Sequence, residues 1–405
     1  MRVSDLLRAS KRPLFHIGQG VRIARAIPDF MRLIEFLQVP FVTARNANDI
    51  APSDHVLNVG RPGTYAQRGA NFAVQTCDLY IAIGTRLSLA QTGYDSKDYA
   101  RHAQIVQVDI DQAELDKDTL RDPLKVCMDA QEFIRDLYEQ VTPGDWGAWL
   151  RQCQKWRDKY PPVTQDQREQ TGSVNSYHFI DVLSGLCDEG DTIVTDVGFA
   201  FQNTHQAWKV KKGQRLMSNC GLAPMGWGLP AAVGAAFATG GRVICITGEG
   251  GLMFNIQELA TVMHHRLPIK IFVLCNGGYL TIKQTQELGF DGRLMGANAE
   301  SGVLFPDLRA IAGAHTIPCD QITNHDRLAK LESILLEDGP NIIEIFMAHD
   351  QPQIPRSLNR RNPDGTMTPT KLEDSFPFLP PEVVAAELHA GLNLYPYTSA
   401  ECEGT

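Results

Sequence analysis

Hydrophobic and polar positions alternate in blocks along this chain, and the blocks change length in a regular way. From Pro13 onward, short apolar runs alternate with longer amphipathic stretches. "LFHIG" predicts a strand, "AIPDFMRLIEFLQ" a helix and "PFVTA" a second strand, with "CDLYIAIG" and "AQIVQVDID" as further strands. Near-continuous apolar strands interleaved with helices predict a parallel sheet covered on both faces. The pattern stops near Leu137. Residues 141–174 are polar, hold three of the five tryptophans and read as a linker with one helix. A second alternation then runs from "DTIVTDVG" through "RVICITGEGG" and "IKIFVLCNGG" to "NIIEIFMA". The expected fold is therefore α/β, with two doubly wound, mostly parallel-sheet domains. Their expected bounds are 1–140 and 175–350, with a Pro-, Arg- and Asn-rich tail over 351–405 that wraps a surface.

Length agrees with this division, since 405 residues exceed what one core usually holds. With 43% hydrophobic and 21% charged residues, the composition is that of an ordinary globular protein. A net charge of -9 argues against nucleic acid as a partner, which selects a basic face. Nine cysteines (77, 127, 153, 187, 220, 245, 275, 319 and 402) stand singly, without a CxxC pair. That is neither a disulfide framework nor a zinc site, and it points to a reducing cytoplasm. The opening "MRVSDLLRASKRP" has no signal-peptide apolar core. Residues 221–238, "GLAPMGWGLPAAVGAAFA", are uncharged, but Gly, Ala and Pro dominate them. A buried small-residue helix is expected there rather than a membrane span.

The chemistry concentrates in residues 246–279, "ITGEGGLMFNIQELATVMHHRLPIKIFVLCNGGY". A strand, a helix and a second strand make one βαβ unit, whose crossover sets the strands parallel. Glu249 and Asn276 then follow two carboxyl ends on the same sheet edge, where ligands of open α/β sheets bind. Gly248, Gly250 and Gly251 allow a sharp turn and close approach to a ligand. The helix beyond offers free N–H groups to an anion. One carboxylate, one amide oxygen and diphosphate oxygens would suit Mg²⁺. Spacing alone leaves the plainer alternative open, because Gly-acid-Gly and Asn-Gly-Gly are also common loop signals.

These segments resemble the thiamine-diphosphate motif, a GDG triplet followed some 27 residues later by Asn-Asn. The chain is most similar to acetohydroxyacid (acetolactate) synthase-like large subunits. The likeness extends through "TDVG" (195–198), "GLAPMGWGLPAAVGAA" (221–236) and "NIQELATV" (255–262). In the first half it is carried by "GQGVRIARA", "ANFAVQTCDLYIAIGTRLS" and "QIVQVDID". The resemblance implies that Glu249 and Asn276 ligate Mg²⁺, with the Gly278 carbonyl as a third protein ligand. It implies that Gly198, Gly248, Gly250 and Gly251 bring backbone to the diphosphate. Met225 would prop thiamine diphosphate into its bent shape, and the Ala223 carbonyl would accept a bond from the aminopyrimidine. The bend sets the 4′-imino nitrogen against the thiazolium C2–H, so that the cofactor activates itself. The implied chemistry is decarboxylation of a small 2-oxo acid, with acyl transfer to a carbonyl acceptor. A homo-oligomer is implied as well.

Several positions depart from the family pattern. Glu249 replaces Asp, Cys275 replaces the first Asn of the pair, and "GFA" at 198–200 replaces polar residues. Ala90 stands where a substrate-facing Arg is usual, and Thr285 where a Trp shapes the acceptor pocket. Acetolactate is therefore expected as a poor or minor product, and an aldehyde or keto sugar is at least as good an acceptor. The family's pyrimidine-binding domain has no counterpart in these residues, so it is expected in trans or upstream. The alternative is a catalytically silent cofactor-binding remnant or regulatory subunit. "GQG" at 18–20 also opens a nicotinamide or flavin reading, but it lacks the third glycine and a ribose-binding acid. FAD occurs in the central domain of some relatives and is not expected here.

Overall fold

The computed structural model of the chain describes residues 2–361, 364 and 366–395. Cys402 and the end of the tail lie outside the described residues. The chain forms two compact units, 1–50 with 54–161 and 354–405, and 51–53 with 162–353.

The first unit carries five parallel strands: β1 (Pro13–Ile17), β2 (Phe41–Thr43), β3 (Leu79–Ile83), β4 (Gln104–Asp109) and β5 (Leu124–Cys127). Their order is β2-β1-β3-β4-β5, so the chain reverses direction across the sheet between β1 and β3. Leu14, Tyr80, Ala82 and Ile105 pack with Phe72, Trp149 and Trp156. The alternate positions Phe15, Ile17, Ile81 and Val106 are equally buried. Successive side chains on a strand face opposite ways, so both faces of the sheet are covered.

The polar stretch read as a linker supplies part of that core. Helix Gly147–Lys159 buries Trp149, Cys153 and Trp156, which share one helical face by their spacing. Trp149 Nε1 donates to the Pro13 carbonyl at 2.8 Å, fixing the helix to the start of β1. The segment after 353 also returns to this unit. The Arg68 guanidinium donates to the Ser375 and Pro377 carbonyls at 3.1 and 2.8 Å. Arg101 pairs with the buried Glu373 at 2.6 Å, and Trp156 Nε1 donates to Glu387 at 2.8 Å. A short antiparallel pair, Asn359–Arg361 with Met367–Pro369, and helix Pro381–Leu392 complete it.

The second unit holds six parallel strands: β6 (Thr192–Thr195), β7 (Arg215–Met217), β8 (Val243–Gly248), β9 (Ile269–Cys275), β10 (Cys319–Ile322) and β11 (Asn341–Phe346). Their order is β10-β11-β9-β8-β6-β7. Ile244, Ile246, Phe272 and Leu274 join Phe179, Ile180 and Leu183 in one apolar layer. Val243, Cys245, Ile271 and Val273 join Leu229, Ala232, Ala236 and Val262 in the other. Of the uncharged stretch 221–238 expected as a buried small-residue helix, only residues 228–238 are helical, in helix Gly228–Thr239, whose alanines admit close contact with β8; residues 221–224 are exposed loop. Among the described residues, no helix is long and apolar enough to cross a membrane.

Candidate functional site

The register of the second sheet assembles the site. β8 lies between β6 and β9, with Ile246 opposite Thr195 and Gly248 opposite Leu274. Three carboxyl ends therefore stand side by side. Helix Phe199–Ala207 starts just beyond β6, after Gly198 with a φ of 64°. A side chain is strained in that region, so glycine suits the turn. Helix Glu249–Met253 starts directly at the end of β8. A cavity of about 300 Å³ opens at this edge. Gly198, Ala223, Met225, Gly248, Glu249, Gly250, Gly251, Asn276 and Gly278 all line it. Nine positions spread over 81 residues of sequence thus share one wall.

Glu249 braces the two strand ends. Its Oε2 accepts the backbone N–H groups of Asn276 and Gly277, each at 2.9 Å. Both bonds fall on one oxygen, which leaves Oε1 as an available acceptor. Burial pushes the carboxyl above its usual range, against those two amides and the nearby His349, which pull it down. Asn276 Oδ1 is buried with no hydrogen-bond partner among the described residues. An orphaned buried acceptor is unfavourable by roughly 1–3 kcal/mol unless a ligand satisfies it. Among the described residues no group of three or more His, Cys, Asp or Glu side chains forms a metal site. A cation here would draw on one carboxylate oxygen, one amide oxygen, backbone carbonyls and its own ligand, the donor chemistry of a hard ion. Those residues fit such an ion bound against a diphosphate.

The glycines differ in what they make room for. A side chain on Gly250 would meet the Tyr279 ring at 2.0 Å, and one on Gly278 would meet the Ala297 carbonyl at 2.2 Å. On Gly251 it would meet the Asp196 carboxylate at 2.6 Å. At Gly248 the nearest atom is 4.0 Å away, so its bare backbone faces open space. Met225 is half-buried, and Ala223 is exposed with a φ of 48°. A non-glycine residue held there stores roughly 1–2 kcal/mol of strain, a frequent feature of binding loops.

Three residues were not singled out from the sequence. Asp196 is buried, lines the cavity and has its carboxyl raised by burial, against hydrogen bonds from Thr247, Val197, Gly226 and Gly228. An acid straight after "TIVT" was the available signal. Tyr279 fills the space that Gly250 leaves, and its ring meets Phe305 edge-on. His349 follows β11 and sits against Gly277, where a side chain would come within 2.9 Å of its ring. No short-range pattern marked either residue.

The departing positions are placed as follows. Cys275 is buried, and burial pushes its thiol far up, the state of a packed and unreactive sulfur. Phe199 and Ala200 put apolar surface and backbone, not polar side chains, on the cavity wall. Thr285 is exposed on helix Leu280–Gly289 and donates to the Thr281 carbonyl at 2.9 Å. In the first unit the Ala90 carbonyl accepts the Thr64 N–H at 2.9 Å. The Gly18-Gln19-Gly20 turn directs its glycine N–H groups to the Ile83 and Gly84 carbonyls, each at 2.9 Å.

Residues 1–137 match the thiamine pyrophosphate enzyme central domain, and residues 196–345 match the C-terminal TPP binding domain of the same enzymes. The acetolactate synthase large subunit of Cyanidium caldarium is 31% identical over 358 residues, 85% of this chain and 59% of that protein. A probable acetolactate synthase large subunit of Methanocaldococcus jannaschii is 30% identical over 87% of this chain and 61% of its own length. The isozyme 2 large subunit of Escherichia coli is 30% identical, with 84% and 61% covered. The chain thus spans about three fifths of the length of these relatives.

Proposed function

We propose, for a chain that belongs to the thiamine pyrophosphate enzymes and resembles acetolactate synthase large subunits, Mg²⁺-dependent carbon–carbon chemistry on a small 2-oxo acid. The observation that carries this reading is the buried, unpaired Asn276 Oδ1 beside Glu249, in a cavity that all nine expected positions line. In this reading Glu249 Oε1, Asn276 Oδ1 and the Gly278 carbonyl hold Mg²⁺, while Gly198, Gly248, Gly250 and Gly251 admit the diphosphate. Met225 and the Ala223 carbonyl fix the ring end. When bound, thiamine diphosphate would supply a carbon nucleophile and an electron sink for decarboxylation of the 2-oxo acid.

This chain's own residues bind, orient and exclude water. Phe199, Leu274 and Leu280 make the apolar wall, which strengthens every polar contact inside it. Thr285 and Ala90 stand where the resemblance puts a Trp and a substrate-facing Arg, and neither residue type supplies a fork for an acceptor carboxylate, so acetolactate is a minor product and an aldehyde or keto sugar at least as good an acceptor. A pyrimidine-binding domain contributed from outside these residues completes the pocket, in a homo-oligomer. Exposed Leu222, Phe237 and Phe254 in the second unit support a partner surface.

Calorimetry tests the binding part: thiamine diphosphate should bind with Mg²⁺ and not after chelation. Equal binding in both conditions would sink the metal assignment. CO₂ release from pyruvate is then measured with and without an added pyrimidine-binding domain. Binding with no release in either case would select the silent-remnant alternative, which the engagement of Glu249 Oε2 by two amides favours.

A further inference from the structure

We propose that Asp196 and Asn255 are positioning residues, which clamp the Gly226 peptide from both sides and thereby fix the Ala223–Met225 wall of the cavity. The inference rests on the cofactor reading above. Asp196 follows β6 and its N–H donates to the Ile246 carbonyl at 2.9 Å, so its backbone is part of the sheet. Its two carboxylate oxygens both accept the Gly226 N–H at 3.2 Å. On the other side of the same residue, Asn255 Nδ2 donates to the Gly226 carbonyl at 2.8 Å.

The remaining bonds of Asp196 aim its carboxylate. Oδ1 accepts the Val197 N–H at 2.9 Å, and Oδ2 accepts the Thr247 hydroxyl at 3.0 Å. Thr247 belongs to β8, so one carboxylate ties the loop to two adjacent strands. Space is kept clear for it, because a side chain on Gly251 would come within 2.6 Å of Oδ2. Gly226 itself has a φ of 83°, and a side chain there would meet Phe254 at 2.5 Å and Asn255 Nδ2 at 2.9 Å. By contrast, residues 221–224 just upstream are exposed, with Leu222 87% exposed. The loop therefore takes its position from backbone bonds, the Ala223 N–H to the Asn219 carbonyl at 2.7 Å and the clamp at Gly226, and not from burial of the side chains at 221–224.

Every partner of Asp196 is a neutral N–H or O–H donor, so the clamp works through hydrogen bonds and not through charge pairing. Asn at 196 preserves most of them: its oxygen accepts the Val197 and Gly226 amide protons and its NH₂ donates to Thr247 Oγ1, which leaves the Gly228 N–H as the contact it can lose. The Thr247 hydroxyl then turns to the Gly248 carbonyl, already 3.3 Å away. Ala preserves none.

The test titrates the full chain with thiamine diphosphate and, separately, with inorganic diphosphate, both with Mg²⁺. The first ligand needs the Ala223–Met225 wall and the second does not. Asp196→Ala and Asn255→Ala should each weaken thiamine diphosphate by about tenfold, the worth of a buried hydrogen bond, and change inorganic diphosphate by less than about twofold. Asp196→Asn should stay within about threefold of wild type for both. Equal losses for the two ligands would reveal general destabilisation and overturn the proposal, as would undiminished thiamine diphosphate binding. If Asp196→Ala melts before titration, the half-buried Asn255→Ala carries the same comparison. A wild-type chain that binds inorganic diphosphate but not thiamine diphosphate overturns the clamp alone. One that binds neither overturns the cofactor reading and the clamp with it.

Discussion

The carboxyl edges of the two parallel sheets are the same kind of place, yet they offer different chemistry. The cleft at the first sheet is the larger, about 670 Å³ against about 300 Å³. Its polar groups are mostly engaged. Asp111 and Asp129 cap helices, the Asp109 carboxylate accepts the Asp111 N–H, and Glu114 pairs with Arg86 at 2.7 Å. Gln19 Oε1 is buried there without a partner among the described residues, but the glycine N–H groups of the neighbouring turn face back into the fold. At the second sheet an unpaired amide oxygen, a carboxylate with one oxygen to spare and bare glycine backbone face a smaller space. Volume therefore does not identify the site. Unspent acceptors converging with bare glycine backbone are what support the smaller cavity as the proposed site.

The largest expected effect tests that contrast directly. Glu249→Ala should weaken Mg²⁺-dependent thiamine diphosphate binding by about a hundredfold or more, because it removes both the proposed cation ligand and the brace on Asn276 and Gly277. Arg86→Ala, in the larger cleft, should leave calorimetric affinity within about twofold. A reversal of the two results would break the comparison.

The units should also respond differently to acid. His16 is fully buried in the first sheet, joined to Tyr80 and, at 3.1 Å, to Gln91. Burial pushes its imidazole down from 6.5 to about 3. Between those values the unfolded chain takes up a proton that the folded one refuses, so stability falls with falling pH by about 1.4 kcal/mol per unit. Denaturant midpoints followed by the fluorescence of Trp149 and Trp156 should show this slope, and His16→Gln should flatten it. An unchanged slope in the variant would assign the acid sensitivity elsewhere.

Two glycines sharpen the comparison within the second unit. Gly250→Ala must displace the Tyr279 ring, which lies 2.0 Å from the added carbon. Overpacking of this kind destabilises by about 1–3 kcal/mol, and cofactor affinity should fall about tenfold. Adding Tyr279→Ala should recover part of the loss, and no recovery would remove Tyr279 from the account. Gly234 lies inside helix Gly228–Thr239, where an added side chain meets nothing within 4 Å. Gly234→Ala should raise stability by about 0.5–1 kcal/mol and leave binding unchanged.

What the sequence determined by itself is whatever depends on near neighbours. Apolar runs of strand length announced β1 to β4, β6, β8, β9 and β11, because a strand buried on both faces must be apolar throughout. The crossover between β8 and β9 placed Glu249 and Asn276 on one edge, because a βαβ connection imposes parallel strands. The short strands β5, β7 and β10 went unread, since their exposed or half-buried residues carry no continuous apolar signal. The tertiary structure alone decided whatever depends on distant pairs. Trp149 and Trp156 look like linker residues until helix Gly147–Lys159 packs against helix Arg68–Thr76. The residues after 353 look like a tail until Arg68, Arg101 and Trp156 bind their carbonyls and carboxylates. Glu249 reads as a cation ligand, but only the fold assigns its Oε2 to two amides across a strand gap. The role of Asp196 also waits on the fold, because its partners come from residues 226 and 247, and no local spacing rule joins those positions to it.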